Sequence, residues 1–449
     1  MAVPALPKIF KAYDIRGVYP DELNEDIARH VARAYVAYTG AKRIALGRDM
    51  RTSSPALFQA LADEFVKLGM QVDDIGLIPT EAIYYTAGAF DYDAALIVTA
   101  SHNPAEYNGM KMMNGKDEVV PGKVLGEYVQ QGKMAKPRVG GALGRRDIFA
   151  PFIEHVLKQV DLKALRPLKI VVDAGNGMAG KVIPALQPRL PFEIVPMYFE
   201  LDGHFPNRPS NPLLPGALDA LKKKVVAERA VCGIAFDGDC DRIFFIDEQG
   251  EFVQADMTLL LIAEELLRKQ PGATIIYNAI CSRAVPEFIR QMGGVPVRTA
   301  VGFANVKKGL LEHRGALGGE VSAHYAFPEN FYADSGFIAM LKVLELVSRA
   351  DQPLSALVGR FMKYVRLDEV NFKVPDVEAE MQKIRKYFKG AEQDELDGVT
   401  VSYPDWWVNV RPSNTEPLLR VTVEGNTREL AEEKQKEVLT VLGVEGRSK

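Results

Sequence analysis

The sequence predicts a chain of three related α/β regions, followed by a smaller α+β region at the C-terminal end. Short apolar runs repeatedly end in loops rich in Gly, Asp, Asn or Ser, and a helical pattern follows several of them. After about residue 368 the pattern changes to strands interleaved with two charged helices. Sheets whose strands alternate with helices bind ligands in the loops after strand ends, so those loops are the first candidates for a site.

The elements follow in chain order. Residues 43–49 predict a strand and residues 55–68 its helix. Further predicted strands, each leading into a polar loop, are residues 95–98, 169–173, 233–236, 243–247 and 274–277. The apolar run 257–267 contains two glutamates, and therefore predicts an amphipathic helix and not a membrane span. The last region predicts a helix at 377–388, strands near Thr400 and Leu419, and a helix from Arg428.

Domain boundaries are expected where the pattern is interrupted. Residues 136–146 are rich in Gly, Pro and charge, which predicts a linker. A second boundary is expected after the strand 243–247. We therefore predict four domains, at residues 1–147, 148–251, 252–367 and 368–449.

Composition excludes several classes of function. The 449-residue chain is 47% hydrophobic and 25% charged with a formal net charge of −4, which does not support a nucleic-acid surface or a polybasic membrane anchor. The N-terminus lacks the basic and apolar regions of a signal peptide. The three cysteines show no metal or disulfide spacing, so we expect a cytoplasmic protein without membrane or nucleic-acid partners.

The loop 99–104, Thr-Ala-Ser-His-Asn-Pro, places Ser101 directly after a predicted buried strand. A hydroxyl on such a rigid support suits a nucleophilic or phosphate-carrying serine. His102 is not expected to be its base, because neighbouring side chains leaving a strand point apart. A plain turn set by Asn-Pro remains the alternative.

Three carboxylates follow another predicted strand. Asp237, Asp239 and Asp241 are spaced two apart, and in an extended loop they would share one side, as oxygen ligands of a divalent cation do. An EF-hand would place a glycine where Arg242 stands and would have helical flanks. A solvated acidic turn is the other alternative. The pattern favours a metal site.

Two more loops carry polar groups. Residues 411–417 gather an arginine, hydroxyls and an amide, which suit a phosphate group, although a surface turn with capping side chains is the alternative. Glu320 and Ser322 would share one face of an extended segment and could hydrogen-bond sugar hydroxyls. His324 alone is more often structural than catalytic. The glycines of residues 175–180 are interpreted as structural.

Together these loops resemble the α-D-phosphohexomutase superfamily, in its phosphomannomutase/phosphoglucomutase branch. The resemblance begins at residues 10–17, Phe-Lys-Ala-Tyr-Asp-Ile-Arg-Gly, and extends to residues 411–415, Arg-Pro-Ser-Asn-Thr. It implies four domains around a central cleft, three of them α/β with mixed sheets. It also implies an enzyme that interconverts hexose 1- and 6-phosphates of mannose or glucose, with Mg²⁺ as cofactor and a hexose 1,6-bisphosphate as activator.

The resemblance implies roles for single residues. Ser101 would be the phosphoserine, and Asp237, Asp239 and Asp241 would hold Mg²⁺ together with Ser101. The implied catalytic residues are Ser101, Lys111, Arg242 and His324. The implied substrate-binding residues are Tyr13, Arg16, Glu320, Ser322, His324, Arg411, Ser413, Asn414 and Thr415. Lys111 would be the general acid and base, with a pKa lowered by Arg16, Arg242 and the metal.

Departures from the family pattern concern the third domain. Phe303 replaces a histidine of many relatives, Ile280 a lysine of some, and residues 326–328 an aromatic-Phe-Arg sequence. These departures leave the choice of sugar open. The alternatives are a phosphoglucosamine mutase, against which Val321 argues, a metal-dependent sugar phosphatase, or a phosphosugar-binding protein without activity. We expect a monomer or homodimer that binds phosphosugars.

Overall fold

The computed structural model describes residues 8–413 and 418–444. Among these residues the chain forms two compact units. The first comprises the residues up to Ala255 together with Ser322–Ala356, and the second comprises Asp256–Val321 and the residues from Leu357. The predicted fold class is confirmed, because three regions with parallel strands and helices precede an antiparallel C-terminal sheet. The four domain boundaries stay a prediction.

The first unit begins with a seven-stranded mixed sheet. Its strands are β1 (Ile15–Val18), β2 (Arg43–Arg48), β3 (Gln71–Leu77), β4 (Ala94–Val98), β5 (Tyr107–Asn114), β6 (Glu118–Val119) and β7 (Ala142–Arg145), and its helices are α1 (Glu25–Thr39), α2 (Ser54–Lys67), α3 (Thr80–Ala89) and α4 (Gly122–Gln130). The order is β1-β5-β4-β2-β3-β7, with β6 paired to β5. β4 is buried along its whole length, which explains its uninterrupted apolar sequence.

The prediction of a linker at residues 136–146 is wrong in part. Residues 142–145 form β7, which pairs in parallel with β3 at the edge of the sheet. All four residues of β7 are exposed. An edge strand that contributes nothing to the core has no apolar pattern, so neither periodicity nor composition indicated it.

A second mixed sheet completes most of the first unit. It consists of β8 (Lys169–Asp173), β9 (Glu193–Met197), β10 (Cys232–Phe236), β11 (Ile243–Asp247) and β12 (Phe252–Val253), with helices α5 (Phe149–Leu157), α6 (Ala179–Leu186) and α7 (Asp219–Glu228). The order is β12-β11-β10-β8-β9, in which β8 is parallel to β9 and β10. β10 and β11 are antiparallel and fully buried, so the short loop between them is held by two rigid strands.

The third region is divided between the two units. Its elements are α8 (Ala255–Lys269), β13 (Thr274–Asn278), α9 (Ala284–Gln291), β14 (Val295–Thr299), α10 (Phe303–His313), β15 (Leu317–Gly319), β16 (Tyr325–Phe327), β17 (Ala333–Asp334), α11 (Gly336–Arg349) and α12 (Leu354–Gly359). In the second unit, β13 is parallel to β14 and β15. In the first unit, β16 and β17 form an antiparallel pair that leads into α11. α8 confirms the predicted amphipathic helix.

The C-terminal region belongs to the second unit and is antiparallel throughout. Its elements are β18 (Val365–Arg366), β19 (Val370–Lys373), α13 (Val377–Tyr387), β20 (Glu392–Asp394), β21 (Val399–Ser402), β22 (Trp406–Pro412), β23 (Leu418–Gly425) and α14 (Arg428–Val441). The predicted helices are confirmed, and each has a side-chain cap, from Asp376 on α13 and Thr427 on α14. Within the described residues, no helix is both long and apolar enough to cross a membrane.

Candidate active site

Ser101 lies three residues after the end of β4, in a backbone conformation that few residues adopt. Its φ is 51°, and the residue is 1% exposed. The hydroxyl Oγ donates to Asp237 Oδ2 at 3.1 Å and lies 3.2 Å from His102 Nδ1. The expectation that His102 points away from Ser101 is therefore wrong, because the left-handed backbone at Ser101 turns the two side chains towards each other. Burial, with the cations Arg242 and Arg16, holds the pKa of His102 well below its ordinary value.

A buried arginine holds the serine loop. The guanidinium of Arg51, in the connection between β2 and α2, donates to four backbone carbonyls at 2.6–2.9 Å, those of Ser101, Asn103, Pro104 and Tyr107. Asp49 lies 3.4 Å from Arg51 Nε and compensates its charge. Sequence reasoning did not single out Arg51. The available signal was its place after a buried strand, in the same kind of loop as the other candidates.

The loop between β10 and β11 brings its three aspartates together by a turn. Cys240 has φ 68°, and its N–H donates to the Asp237 carbonyl at 3.3 Å. The expectation of an extended loop is thus wrong, although the three carboxylates lie close together, as expected. Asp237, Asp239 and Asp241, called here the carboxylate cluster, each offer an oxygen within 4.8 Å of the others. A side chain at Gly238 would clash, since its Cβ would lie 2.7 Å from the Ser101 carbonyl oxygen.

The carboxylate cluster has the chemistry of a hard-cation site. Its three residues are 0–3% exposed. Burial, together with Asp241 and Asp239, raises the pKa of Asp237 well above its ordinary value. Within the part of the chain that the structure describes, Asp239 Oδ1 is buried and has no hydrogen-bond donor. A buried carboxylate oxygen without a donor beside two further carboxylates fits a divalent cation with oxygen ligands.

Lys111 on β5 lies against the same carboxylates. Its Nζ donates to Asp239 Oδ2 at 2.8 Å and forms an ion pair with Asp241 Oδ2. Burial alone would lower the pKa of Lys111, but Asp239 and Asp241 outweigh it and raise the pKa above that of free lysine. Arg16 does lower the pKa of Lys111, as expected, but Asp239 and Asp241 outweigh it, so the expected net decrease is not seen in this arrangement. The contribution of a bound metal stays a prediction.

Two more cations surround the serine loop and the carboxylate cluster. Arg16 on β1 donates to the Asn103 side chain at 2.6 Å and is ion-paired with Asp14 at 2.7 Å. The Arg242 backbone N–H donates to Asp237 Oδ1 at 3.3 Å, and its guanidinium Nε lies 3.8 Å from Asp237 Oδ2. The structure therefore brings both arginines to the serine. Tyr13 is half-buried, two residues before β1 begins.

His324 lies beside the carboxylate cluster in the same unit. Its Nε2 is 3.5 Å from Asp241 Oδ1, 3.8 Å from Asp334 Oδ2 and 3.4 Å from Arg242 Nε. Its Nδ1 is 2.9 Å from Ser322 Oγ. Asp241, His324 and Asp334 form a second group whose ligand atoms lie within 4.8 Å of one another. His324 therefore lies against the carboxylate cluster, and its role, structural or catalytic, stays a prediction.

The expectation that Glu320 and Ser322 lie on one extended segment is wrong. β15 ends at Gly319, residues 321–322 form a turn, and Ala323 has φ 67°. Glu320 falls in the second unit, where its Oε1 accepts from Asn278 Nδ2 at 3.1 Å and from the Gly302 N–H at 2.8 Å. Among the departures from the family pattern, Phe303 begins α10 and Ile280 is buried. Pro328 follows β16.

Arg411 and Ser413 lie at the end of β22. Arg411 and Arg420, called here the arginine pair, are opposite each other across β22 and β23, and Arg420 Nη2 donates to Ser413 Oγ at 3.2 Å. Glu369 lies between the two arginines, 2.6 Å from Arg411 and 3.0 Å from Arg420. Sequence reasoning missed Glu369. Asn414 and Thr415, expected in the same phosphate-binding loop, lie outside the described residues.

Sequence comparison gives a consistent result along the chain. Profiles of the four domains of phosphoglucomutase/phosphomannomutase match it in order, with alpha/beta/alpha domain I at residues 7–127, domain II at 150–250, domain III at 254–364 and the C-terminal domain at 369–441. The matched segments include Ser101, the carboxylate cluster, Glu320 and the arginine pair.

Curated relatives and a solved structure agree. The "phosphohexose mutases" protein of Xanthomonas campestris pv. campestris is 40% identical over 94% of this chain and 95% of its own. A phosphomannomutase of Salmonella montevideo is 39% identical over 96% of this chain and 98% of its own. The crystal structure of a phosphoglucomutase/phosphomannomutase family protein from Burkholderia thailandensis has a TM-score of 0.90 at 33% identity and covers 99% of both chains. Matched in all four domains and over nearly its whole length, this chain belongs to the phosphoglucomutase/phosphomannomutase family of α-D-phosphohexomutases.

Proposed function

We propose that this phosphohexomutase moves a phosphoryl group between O1 and O6 of glucose and mannose phosphates, with Ser101 as the phosphate carrier. The observation that supports this assignment best is the position of the Ser101 hydroxyl, 3.1 Å from Asp237. Arg16 contacts the serine loop, and Arg242 and Lys111 contact the carboxylate cluster. A hydroxyl fixed beside buried carboxylates and several cations suits phosphoryl transfer, where positioning and charge neutralisation supply most of the catalysis.

In the forward half-reaction, the phosphoserine P–O bond breaks and the phosphoryl group goes to the free O6 or O1 of the sugar monophosphate. The product is a hexose 1,6-bisphosphate, which also serves as activator because it rephosphorylates Ser101. After the bisphosphate turns end for end, its other phosphoryl group returns to Ser101. Arg16 and Arg242 orient the phosphoryl group by charge-assisted hydrogen bonds. In the forward half-reaction the sugar hydroxyl loses its proton as the new O–P bond forms, and the released Ser101 oxygen takes up a proton. In the return half-reaction Ser101 loses that proton again, and Lys111, held as an ammonium group, can give its proton to the sugar oxygen that leaves.

The metal of this site is proposed to be Mg²⁺. Asp237, Asp239 and Asp241 would hold it together with an oxygen of Ser101, and the ion would supply neutralisation of negative charge on the transferred phosphoryl group. His324 lies next to Asp241 and is proposed as a second acid or base, with Ser322 fixing its ring through the contact at Nδ1.

The remaining substrate contacts are proposed to hold the sugar and its second phosphate. Glu320, Ser322 and Tyr13 bind the sugar, and Arg411, Ser413, Asn414 and Thr415 bind the phosphate that does not react. One sugar site must accept the bisphosphate in two orientations, so it reads the 3- and 4-hydroxyls, which roughly exchange when the molecule turns over. Glucose and mannose differ at C2. The apolar residues Phe303 and Ile280 offer no side-chain hydrogen bond there.

The test is the ratio of kcat/KM for glucose 1-phosphate and mannose 1-phosphate, measured with the matching 1,6-bisphosphate. We expect a ratio below about 10³, because a site committed to one hydroxyl rejects the wrong analogue by about 10⁴–10⁵. A larger ratio would show that C2 is read directly. Release of inorganic phosphate in place of the isomeric sugar phosphate would instead indicate a phosphatase.

The cellular setting is also proposed. The three cysteines Cys232, Cys240 and Cys281 are buried free thiols, as is usual for proteins of the reducing cytoplasm. We propose a cytoplasmic enzyme that acts as a monomer or homodimer. Sedimentation at several protein concentrations distinguishes these two states, and a larger assembly would contradict both.

A further inference from the structure

The C-terminal sheet places two positive charges opposite each other. Arg411 on β22 and Arg420 on β23 are register partners in an antiparallel pair, so their side chains leave the same face of the sheet. Like charges directly opposite on a sheet destabilise the pairing. The Arg411 side chain is only 5% exposed, so that solvent screens it weakly. An anion at this point stabilises the folded sheet.

Glu369 supplies that anion from within the chain. It immediately precedes β19, which pairs with β23 and so brings the carboxylate to the arginine pair. Its Oε2 accepts from Arg411 Nη2 at 2.6 Å, and its Oε1 accepts from Arg420 Nη1 at 3.0 Å. The Thr422 hydroxyl donates to Oε2 at 3.2 Å and helps to fix the carboxylate. Both oxygens of Glu369 are therefore engaged by the arginine pair.

A carboxylate and a phosphate compete for the same guanidinium donors, because both offer oxygens that match the planar fork of arginine. We propose that Glu369 is an intramolecular competitor of substrate phosphate, and that it sets how tightly the arginine pair holds the phosphate group that does not react. This inference rests on the function proposed above for Arg411. It adds to that function a residue, Glu369, that determines phosphate affinity by competing with the phosphate for the same arginines.

The charge balance gives the direction of the effect. With Glu369 the three side chains carry a net charge of +1, and without it they carry +2. A phosphate dianion at the arginine pair is therefore repelled by a nearby carboxylate. Binding energy that is equal in all bound states does not speed a reaction. Tight binding of phosphate at the arginine pair would slow the turning of the bisphosphate between the two half-reactions. A weakened grip on phosphate favours repeated release and rebinding.

The test measures phosphate affinity by calorimetry, with inorganic phosphate and glucose 6-phosphate as probes. Glu369→Gln is expected to lower the Kd for both probes by about tenfold, equivalent to about 1.4 kcal/mol. Turnover at saturating substrate should fall, because the bisphosphate is released more slowly. The matched control is Glu378→Gln on α13, which also removes one negative charge from the C-terminal region, but whose described partners are Gln382 and Arg385. This control should leave both Kd values unchanged.

Two further variants separate the possible failures. Arg411→Ala should raise both Kd values. An unchanged Kd would overturn the role proposed for Arg411, whereas a raised Kd together with an unchanged or raised Kd in Glu369→Gln would overturn only the inference about Glu369. Thr422→Val changes no charge and loosens the carboxylate, so it should lower Kd by about two- to threefold, a fraction of the effect of losing the charge itself. This variant decides the inference if Glu369→Gln does not fold.

Discussion

The carboxylate cluster and the arginine pair have opposite charges, yet each is held by a counter-ion from the same chain. In the first unit, Lys111 bridges Asp239 and Asp241. In the second unit, Glu369 bridges Arg411 and Arg420. In both arrangements a residue of opposite charge offsets the repulsion between like charges that lie close together in the folded protein.

The two clusters differ in their access to water. The side chains of the carboxylate cluster are at most 5% exposed. In the second cluster only Arg411 is as buried, at 5%, whereas Arg420 is 30% exposed and Glu369 23%. Buried charges interact strongly and in fixed geometry, and partly exposed charges are screened and easier to rearrange. The comparison therefore predicts that changes in the first cluster alter the rate of phosphoryl transfer, while changes in the second alter phosphate affinity.

The largest effect is expected for Ser101→Ala. Removal of the proposed phosphate carrier should lower turnover by about 10³-fold or more, while the binding of inorganic phosphate to the arginine pair stays as in the wild type. Steady-state kinetics and calorimetry measure these two quantities, and intact-mass analysis measures phosphorylation of the protein. Ser210→Ala is the control, because the Ser210 hydroxyl donates to the Ser101 carbonyl, at 2.9 Å, and its loss leaves the Ser101 hydroxyl in place. A phosphorylated Ser101→Ala protein would refute the carrier assignment.

Asp239→Asn is expected to have the next largest effect. A neutral amide stabilises a hard cation less well than a carboxylate, so we expect Mg²⁺ affinity to fall by about 100-fold. Asp334→Asn tests the second group of possible ligands, which includes Asp334 but not Asp239. It should reduce Mg²⁺ affinity much less. The reverse order of the two effects, measured by metal titration, would place the ion at His324 and Asp334.

Arg51→Lys should slow phosphoryl transfer without changing phosphate affinity. Lysine keeps the positive charge beside Asp49 but loses the planar fork that binds four carbonyls of the serine loop. Small displacements of a reacting group can cost up to about 10²-fold, so we expect a 10- to 100-fold lower single-turnover rate. Arg48→Lys, at the end of the preceding strand β2 and paired with Asp74, is the control. A lower melting temperature with an unchanged transfer rate would leave Arg51 a purely structural role.

The smallest effect concerns Glu81, a carboxylate of the first unit that is paired with hydroxyl and amide groups. Its carboxyl accepts from the Ser335 hydroxyl and from the Phe337 N–H at 3.3 Å. Burial raises the pKa of Glu81 from 4.5 to about 8. Between these values the folded protein keeps a proton that the unfolded chain releases, so stability falls as pH rises, by up to about 1.4 kcal/mol per pH unit.

Glu81→Gln should remove this pH dependence. Thermal unfolding at about pH 6 and about pH 8 measures it, because the variant cannot lose the proton in question. We expect the wild type to lose stability over this interval by more than the variant does, and phosphoryl transfer to stay within about twofold of the wild type. Equal losses in the two proteins would show that Glu81 is already ionised at pH 6.

The sequence was sufficient to predict the strands that lead to the site. β4, β8 and β10 are almost wholly buried, and burial on both faces requires a continuous apolar run that is visible without any knowledge of the neighbours. Ser101 and Asp237 follow such runs, which is why strand ends indicated both. The same reasoning applied to β2 would have indicated Arg51.

Other features depend on partners far away in the chain. Arg51 binds carbonyls 50–56 residues later, and Glu369 binds arginines 42 and 51 residues later. Such contacts leave no local period in the sequence. The left-handed conformation of Ser101 also had no local signal, since glycine, the usual residue there, is absent. The sequence therefore predicts which loops form the site, but not the backbone conformation within them or the counter-ions.

The division of the first unit also has a consequence for protein synthesis. Glu81 and Ser335 form one buried contact but are 254 residues apart, and the segment Asp256–Val321 between them belongs to the other unit. A ribosome adds about 5–20 residues per second, so Ser335, the hydrogen-bond donor to Glu81, is synthesised about 10–50 s after Glu81 itself. During that interval the first unit lacks its last helix, α11, and must be kept from aggregating.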